Sequence, residues 1–70
     1  MVTKDDVKLG RTIRKLRKEA GLTQEELAEK AKISTTYIGY IEIGQKKPAL
    51  STLSRIASAL KVKVKDLIPY

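Results

Sequence analysis

Gln24-Glu25-Glu26-Leu27-Ala28-Glu29-Lys30-Ala31-Lys32-Ile33-Ser34-Thr35-Thr36-Tyr37-Ile38-Gly39-Tyr40-Ile41-Glu42-Ile43 is the stretch on which the fold turns. Thr23 stands just before it and Glu26 three residues after Thr23, so hydroxyl and carboxylate can each satisfy the other residue's backbone donor at a helix start. Leu27, Ala28 and Ala31 share one face of that helix, and Glu25, Glu29 and Lys30 share the wet one. Lys32-Ile33-Ser34 breaks the pattern, and Ser34 can cap a further helix from Thr35 to about Ile43, closed by Gly44, with Ile38 and Ile41 facing inward. Two short helices meeting across a tight turn result.

Working outward, Leu9, Ile13, Leu16 and Ala20 recur at intervals of four, three and four, the stripe of a preceding helix that Gly21 would close. Ahead of it, Thr3-Lys4-Asp5-Asp6 offers either a helix start or a frayed arm. Downstream, the loop Gln45-Lys46-Lys47-Pro48-Ala49 leads to Leu50, Leu53, Ile56, Ala57 and Leu60 at helical spacing. Lys61-Val62-Lys63-Val64-Lys65 alternates like a strand, but a lone strand among helices has no partner, so an extended connector is expected. Asp66-Leu67-Ile68 then makes a short last turn, stopped by Pro69. Leu67, Ile68 and Tyr70 either close the core or form a two-fold interface. The expectation is one all-α domain over residues 1–70, of four helices and a short fifth, with no internal repeat or boundary.

Composition narrows the function. A chain of 70 residues buries only about 60% of the surface its unfolded form exposes, leaving little room for a deep substrate cavity beside the core. An enzyme is not expected, nor is a small-molecule substrate. Cysteine, histidine and tryptophan are absent, which removes disulfides, thiolate or imidazole metal sites and thiol or imidazole catalysis. No cofactor and no metal are expected. No apolar run is long enough to span a bilayer, and the first residues lack the apolar stretch of a signal peptide; a cytoplasmic setting follows as an expectation. The net charge of +7, from 15 Lys and Arg against 8 Asp and Glu, favours polyanionic partners.

The charge is unevenly placed. Among residues 35–43 only Glu42 is ionised, so Thr35, Thr36, Gly39 and Tyr40 form an uncharged polar face suited to hydrogen-bonding groups at close range. Arg11, Arg14, Lys15, Arg17 and Lys18 precede that helix, and Lys46 and Lys47 follow it. Reading a duplex groove needs this division: cations neutralise phosphates, while short polar side chains touch base edges. The helix starts at Thr23 and Ser34 add backbone donors and a dipole favourable to phosphate. Duplex DNA is therefore the expected partner, and because one reading helix spans too few base pairs for high specificity, a homodimer on an inverted repeat is expected.

Gly-Leu-Thr-Gln-Glu-Glu-Leu-Ala at 21–28 and Tyr-Ile-Gly-Tyr-Ile-Glu at 37–42 resemble the signatures of the Cro and phage-repressor-like (XRE) helix-turn-helix proteins. The likeness runs from about Leu9 to Ile68, with the motif at about 24–43. It implies a lambda-repressor-like fold and a regulator of transcription. It further implies that Thr35, Thr36 and Tyr40 read bases, that Gln24 contacts a phosphate and buttresses the recognition helix, and that Tyr37 touches the sugar-phosphate backbone. Ser34, Arg14, Lys46 and Lys47 complete the expected phosphate contacts. Arg17 and Glu42 are implied as an ion pair tying the first helix to the recognition helix. The run Thr36-Tyr37-Ile38 is similar to that of restriction-modification controllers.

Four positions depart from the family pattern. Lys32 stands where glycine is usual, which argues against a strongly left-handed turn there. Ile43 replaces a polar or basic residue. Ala49 and Lys63 replace capping Ser or Thr, so the last two helix starts should be less well satisfied. An antitoxin-like protein-interaction module is the alternative function. A membrane-surface role is disfavoured, because basic and apolar faces are divided among several short helices.

Overall fold

Thr3 sets where the first helix begins: its Oγ1 accepts the Asp6 N–H at 3.2 Å, and Asp6 Oδ2 accepts the Thr3 N–H at 2.8 Å. Asp5 and Asp6 place negative charge in the first turn, where the helix dipole favours it. In the computed structural model, which describes residues 2–70, helices run over Lys4–Glu19 (α1), Gln24–Ala31 (α2), Thr35–Glu42 (α3), Leu50–Leu60 (α4) and Val64–Leu67 (α5). Among the described residues there is no strand. At α2, Thr23 and Glu26 exchange bonds of 3.0 and 2.9 Å. The Thr23 backbone N–H first, then its hydroxyl, hold the Glu26 carboxyl below its ordinary range.

Helices α1 to α4 end alike. The first residue after α2 and α4, and the second after α1 and α3, turns left-handed, Gly21, Lys32, Gly44 and Lys61 having φ of 74°, 58°, 78° and 59°. The next N–H then reaches back to a carbonyl of the last turn: Leu22 to Arg17, Ile33 to Ala28, Gln45 to Tyr40 and Val62 to Ala57, at 3.1, 3.0, 2.9 and 2.9 Å. This satisfies carbonyls the helix would otherwise orphan. Lys32 thus corrects the expectation drawn from its missing glycine: the turn is left-handed all the same. The hydrogen bonds it makes possible offset the conformational cost of a side chain there, on the order of 1–2 kcal/mol.

One core joins all five helices, with Leu9, Ile13, Leu27, Ile38, Ile41, Ile56 and Leu67 buried at its centre. α3 packs on α1 and α2, α4 on α2, and α5 on α4 and α1. Several expectations give way. Leu50 is 69% exposed, because it is the first residue of α4 and the core is reached only one turn later, by Leu53. Ala20 lies outside as the cap of α1. Val64 and Lys65 belong to α5 rather than to a connector, since Asp66 Oδ2 accepts the Lys63 N–H at 2.9 Å and Val64 packs against the core. At α4, as its lack of a hydroxyl led one to expect, Ala49 supplies no side-chain cap. Leu67, a candidate for the two-fold interface, has no exposed surface. It closes this chain's own core and leaves the interface set. Ile68 is half-buried against the core and Tyr70 is 58% exposed.

Candidate nucleic-acid interface

The placement of α3 begins with a glycine on α1. A Cβ on Gly10 would overlap the Ile41 carbonyl oxygen and come within 2.8 Å of that of Glu42. The two helices therefore touch backbone to backbone at the carboxyl end of α3. Gly44, just beyond α3, is similarly confined: its φ is left-handed, and a Cβ would lie 2.8 Å from Val7 Cγ2.

Polar groups complete the fixing. Arg17 Nε donates to Glu42 Oε2 at 2.7 Å and Nη2 to Oε1 at 3.1 Å, with the two side chains only 10% and 1% exposed. Arg17 Nη1 donates to the Leu22 carbonyl at 2.7 Å, tying the α1–α2 junction into the same group. Gln24 Nε2 donates to Glu42 Oε1 at 3.1 Å. The glutamate thus ties together the end of α1, the start of α2 and the end of α3. Forked guanidinium–carboxylate bonds fix orientation as well as distance, so α3 is held in direction along its length.

The outward side of α3 carries Thr35 and Thr36, both exposed, and Tyr40, 42% exposed. Ser34 accepts the Tyr37 N–H at 3.0 Å, which leaves its hydroxyl proton free to donate outward. The Tyr37 ring packs against the core, so its hydroxyl is the part able to meet a ligand. Gln24 is half-buried, with one of its two amide hydrogens given to Glu42. Arg14, Lys46 and Lys47 are exposed. Among the described residues the only ion pair is that of Arg17 and Glu42, so these three cations are not neutralised by a carboxylate.

Sequence reasoning missed Gly10. Its signal was present: glycine between Leu9 and Ile13 in a helix costs about 1 kcal/mol against alanine and calls for a packing reason. Ile43, 57% exposed at the exit of α3, had been noted only as a departure from the family pattern.

Comparison with known proteins extends this geometry. The family model described as Helix-turn-helix matches residues 13–67. The immunity repressor protein of Bacillus phage phi105 is 43% identical over 60 residues, which cover 86% of this chain and 42% of that protein. The HTH-type transcriptional regulator SinR of Bacillus subtilis is 36% identical over 61 residues, covering 86% of this chain and 55% of its own. The chain thus spans about half the length of these curated relatives. Among solved structures, the restriction-modification controller protein C.AhdI from Aeromonas hydrophila superposes with a TM-score of 0.92 at 35% identity, over 94% of this chain and 100% of that one. With α2 and α3 seated on α1 as described and the match covering most of the chain, this protein belongs to the XRE-type helix-turn-helix family.

Proposed function

We propose that this chain is a sequence-specific DNA-binding regulator of transcription that lays α3 in the major groove. The observation that carries this is the uncharged outer face of α3, locked in direction by Glu42 and flanked by cations without carboxylate partners. Thr35, Thr36 and Tyr40 meet base edges. Gln24 through its second amide hydrogen, Ser34 and Tyr37 through their hydroxyls, and Arg14, Lys46 and Lys47 through their charges contact phosphates. No reaction is catalysed. Relatives named as repressors and regulators, and a close structural match named as a controller, support the reading.

One α3 spans too few base pairs for high specificity, so two copies act on an inverted repeat with half-site centres about 34 Å apart. Ile68 and Tyr70 are the interface residues that remain. A cytoplasmic setting suits this role, and no described helix is long and apolar enough to cross a membrane. Selection from a random duplex pool tests the proposal. An inverted repeat should emerge, Thr36→Ala should relax one base position per half-site, and Lys47→Ala should keep the site while lowering the slope of log affinity against log salt by about one unit. A pool with no enriched site would overturn it.

A further inference from the structure

Both left-handed lysines of the fold line hollows beside α4. Lys32 borders a depression of about 470 Å³ between α2 and α4, together with Lys30, Arg55, Ser54 and Ser58. Lys61 borders a smaller one of about 240 Å³, which Lys30 also lines. No carboxylate lines either hollow, and none of the four cations forms an ion pair among the described residues. Glu29, beside Lys30, and Glu26, one turn before it, are the nearest acids along α2; neither lines a hollow, and the Glu26 carboxylate, though attracted to Lys30, is held first by the Thr23 N–H. Ser54 and Ser58, one turn apart and so on one face of α4, make no side-chain hydrogen bond among the described residues. Neither α3 nor the α3–α4 loop contributes to the larger hollow.

From these groups we infer that the α2–α4 hollow is a second anion site, separate from the base-reading face, which takes a phosphate group carrying two or more negative charges. Arg55 offers a planar fork for two phosphate oxygens, Lys30 and Lys32 neutralise charge, and the two serine hydroxyls donate to the remaining oxygens. The carboxyl end of α2 opposes an anion with about half a negative charge. Three whole positive charges outweigh it, and the carbonyls of Ala28 and Glu29 already accept from Ile33 and Lys32. Lysine at position 32 bears a backbone cost that glycine escapes, which a role for its side chain explains. The phosphate is supplied either by the DNA backbone passing beside α2 or by a free phosphorylated small molecule.

Inorganic pyrophosphate is the probe, added without DNA to the ¹⁵N-labelled protein at low salt. Saturable amide shifts should centre on residues 30–32 and 54–58. Affinity should fall at least about tenfold in Lys32→Gly/Arg55→Gln and stay near the parent's in the charge-matched control Lys4→Gln/Lys8→Gln. Glycine suits the backbone at 32 and Arg55 is exposed, so the variant should fold, which a thermal melt verifies. Unsaturable shifts spread over all the lysines, or equal loss in the control, would overturn the site. The source is read from duplex binding by the same variant. A salt slope lower by about two units identifies the DNA backbone, and an unchanged slope with pyrophosphate binding lost identifies a free phosphorylated ligand.

Discussion

Helices α1 and α3 end in glycine and α2 and α4 in lysine, yet all four close with the same backbone hydrogen bonds. At α2, α3 and α4 the residue matches what surrounds the end, whereas Gly21 at the end of α1 has open space and serves φ alone. At the end of α3, Gly44 lies against Val7 with no space for a Cβ. Lys32 and Lys61 are exposed on the rims of open hollows. The α1–α3 half is built for close approach and fixed direction, and the α2–α4 half leaves surface available for charge. At Gly44, glycine is therefore a matter of space as much as of φ.

The largest effect should come from breaking the direction of α3. Glu42→Ala leaves Arg17 buried without its partner and should cost about 3–5 kcal/mol, read as a lower urea midpoint. Replacing both residues with methionine should recover most of that stability but not duplex affinity, since packing returns while the forked bonds do not. Recovery of both would mean that the ion pair does not orient α3. Gly10→Ala comes next. Alanine gains about 1 kcal/mol of helix propensity, but overlap with the Ile41 carbonyl should cost about 3 kcal/mol, a net loss accompanied by weaker DNA binding. Gly44→Ala should cost about 2 kcal/mol, against about 1 kcal/mol for Gly21→Ala, because a Cβ at Gly21 meets nothing within 4 Å. Equal losses at the two glycines would remove Val7 from the account.

These contrasts also mark what was legible in the sequence. The α2–α3 pair was, because Thr23, Glu26 and Ser34 act on backbone groups within three residues of themselves and the apolar spacing names each buried face. The exposure of Leu50 was not legible, because periodicity assigns a face of a helix without saying where that helix passes beyond the core. Leu67 could not be told from Ile68 and Tyr70, three apolar groups at one end, until the start of α5 at Val64 fixed which of them turns inward. The left-handed turn at Lys32 was hidden for an energetic reason: the preference of a single residue disfavours it by an amount that the hydrogen bonds closing the helix end readily outweigh. In the interface, the family resemblance carried Gln24 and the Arg17–Glu42 pair, while Gly10 in mid-helix signalled a packing reason whose partner, the end of α3, no local pattern names.

The smallest effect is the one that separates the two halves most cleanly. Lys32→Gly relieves a left-handed side chain without opening a cavity, and the same holds for Lys61→Gly; each should stabilise the fold by about 1 kcal/mol. For a domain of this size that raises Tm by about 4–8 °C. The two changes lie at different helix ends with separate hydrogen bonds, so their gains should add. Their effects on binding should differ, however. Lys32 borders the larger hollow with Arg55 and two serines, and its loss should weaken pyrophosphate binding there; Lys61 borders only the smaller one and should leave that affinity nearly unchanged. A more stable Lys32→Gly protein with weaker anion binding would show stability given up for a charged side chain at the site. If Lys32→Gly lowered Tm instead, the side chain would be stabilising the fold, and the contrast between glycine and lysine ends would rest on packing alone.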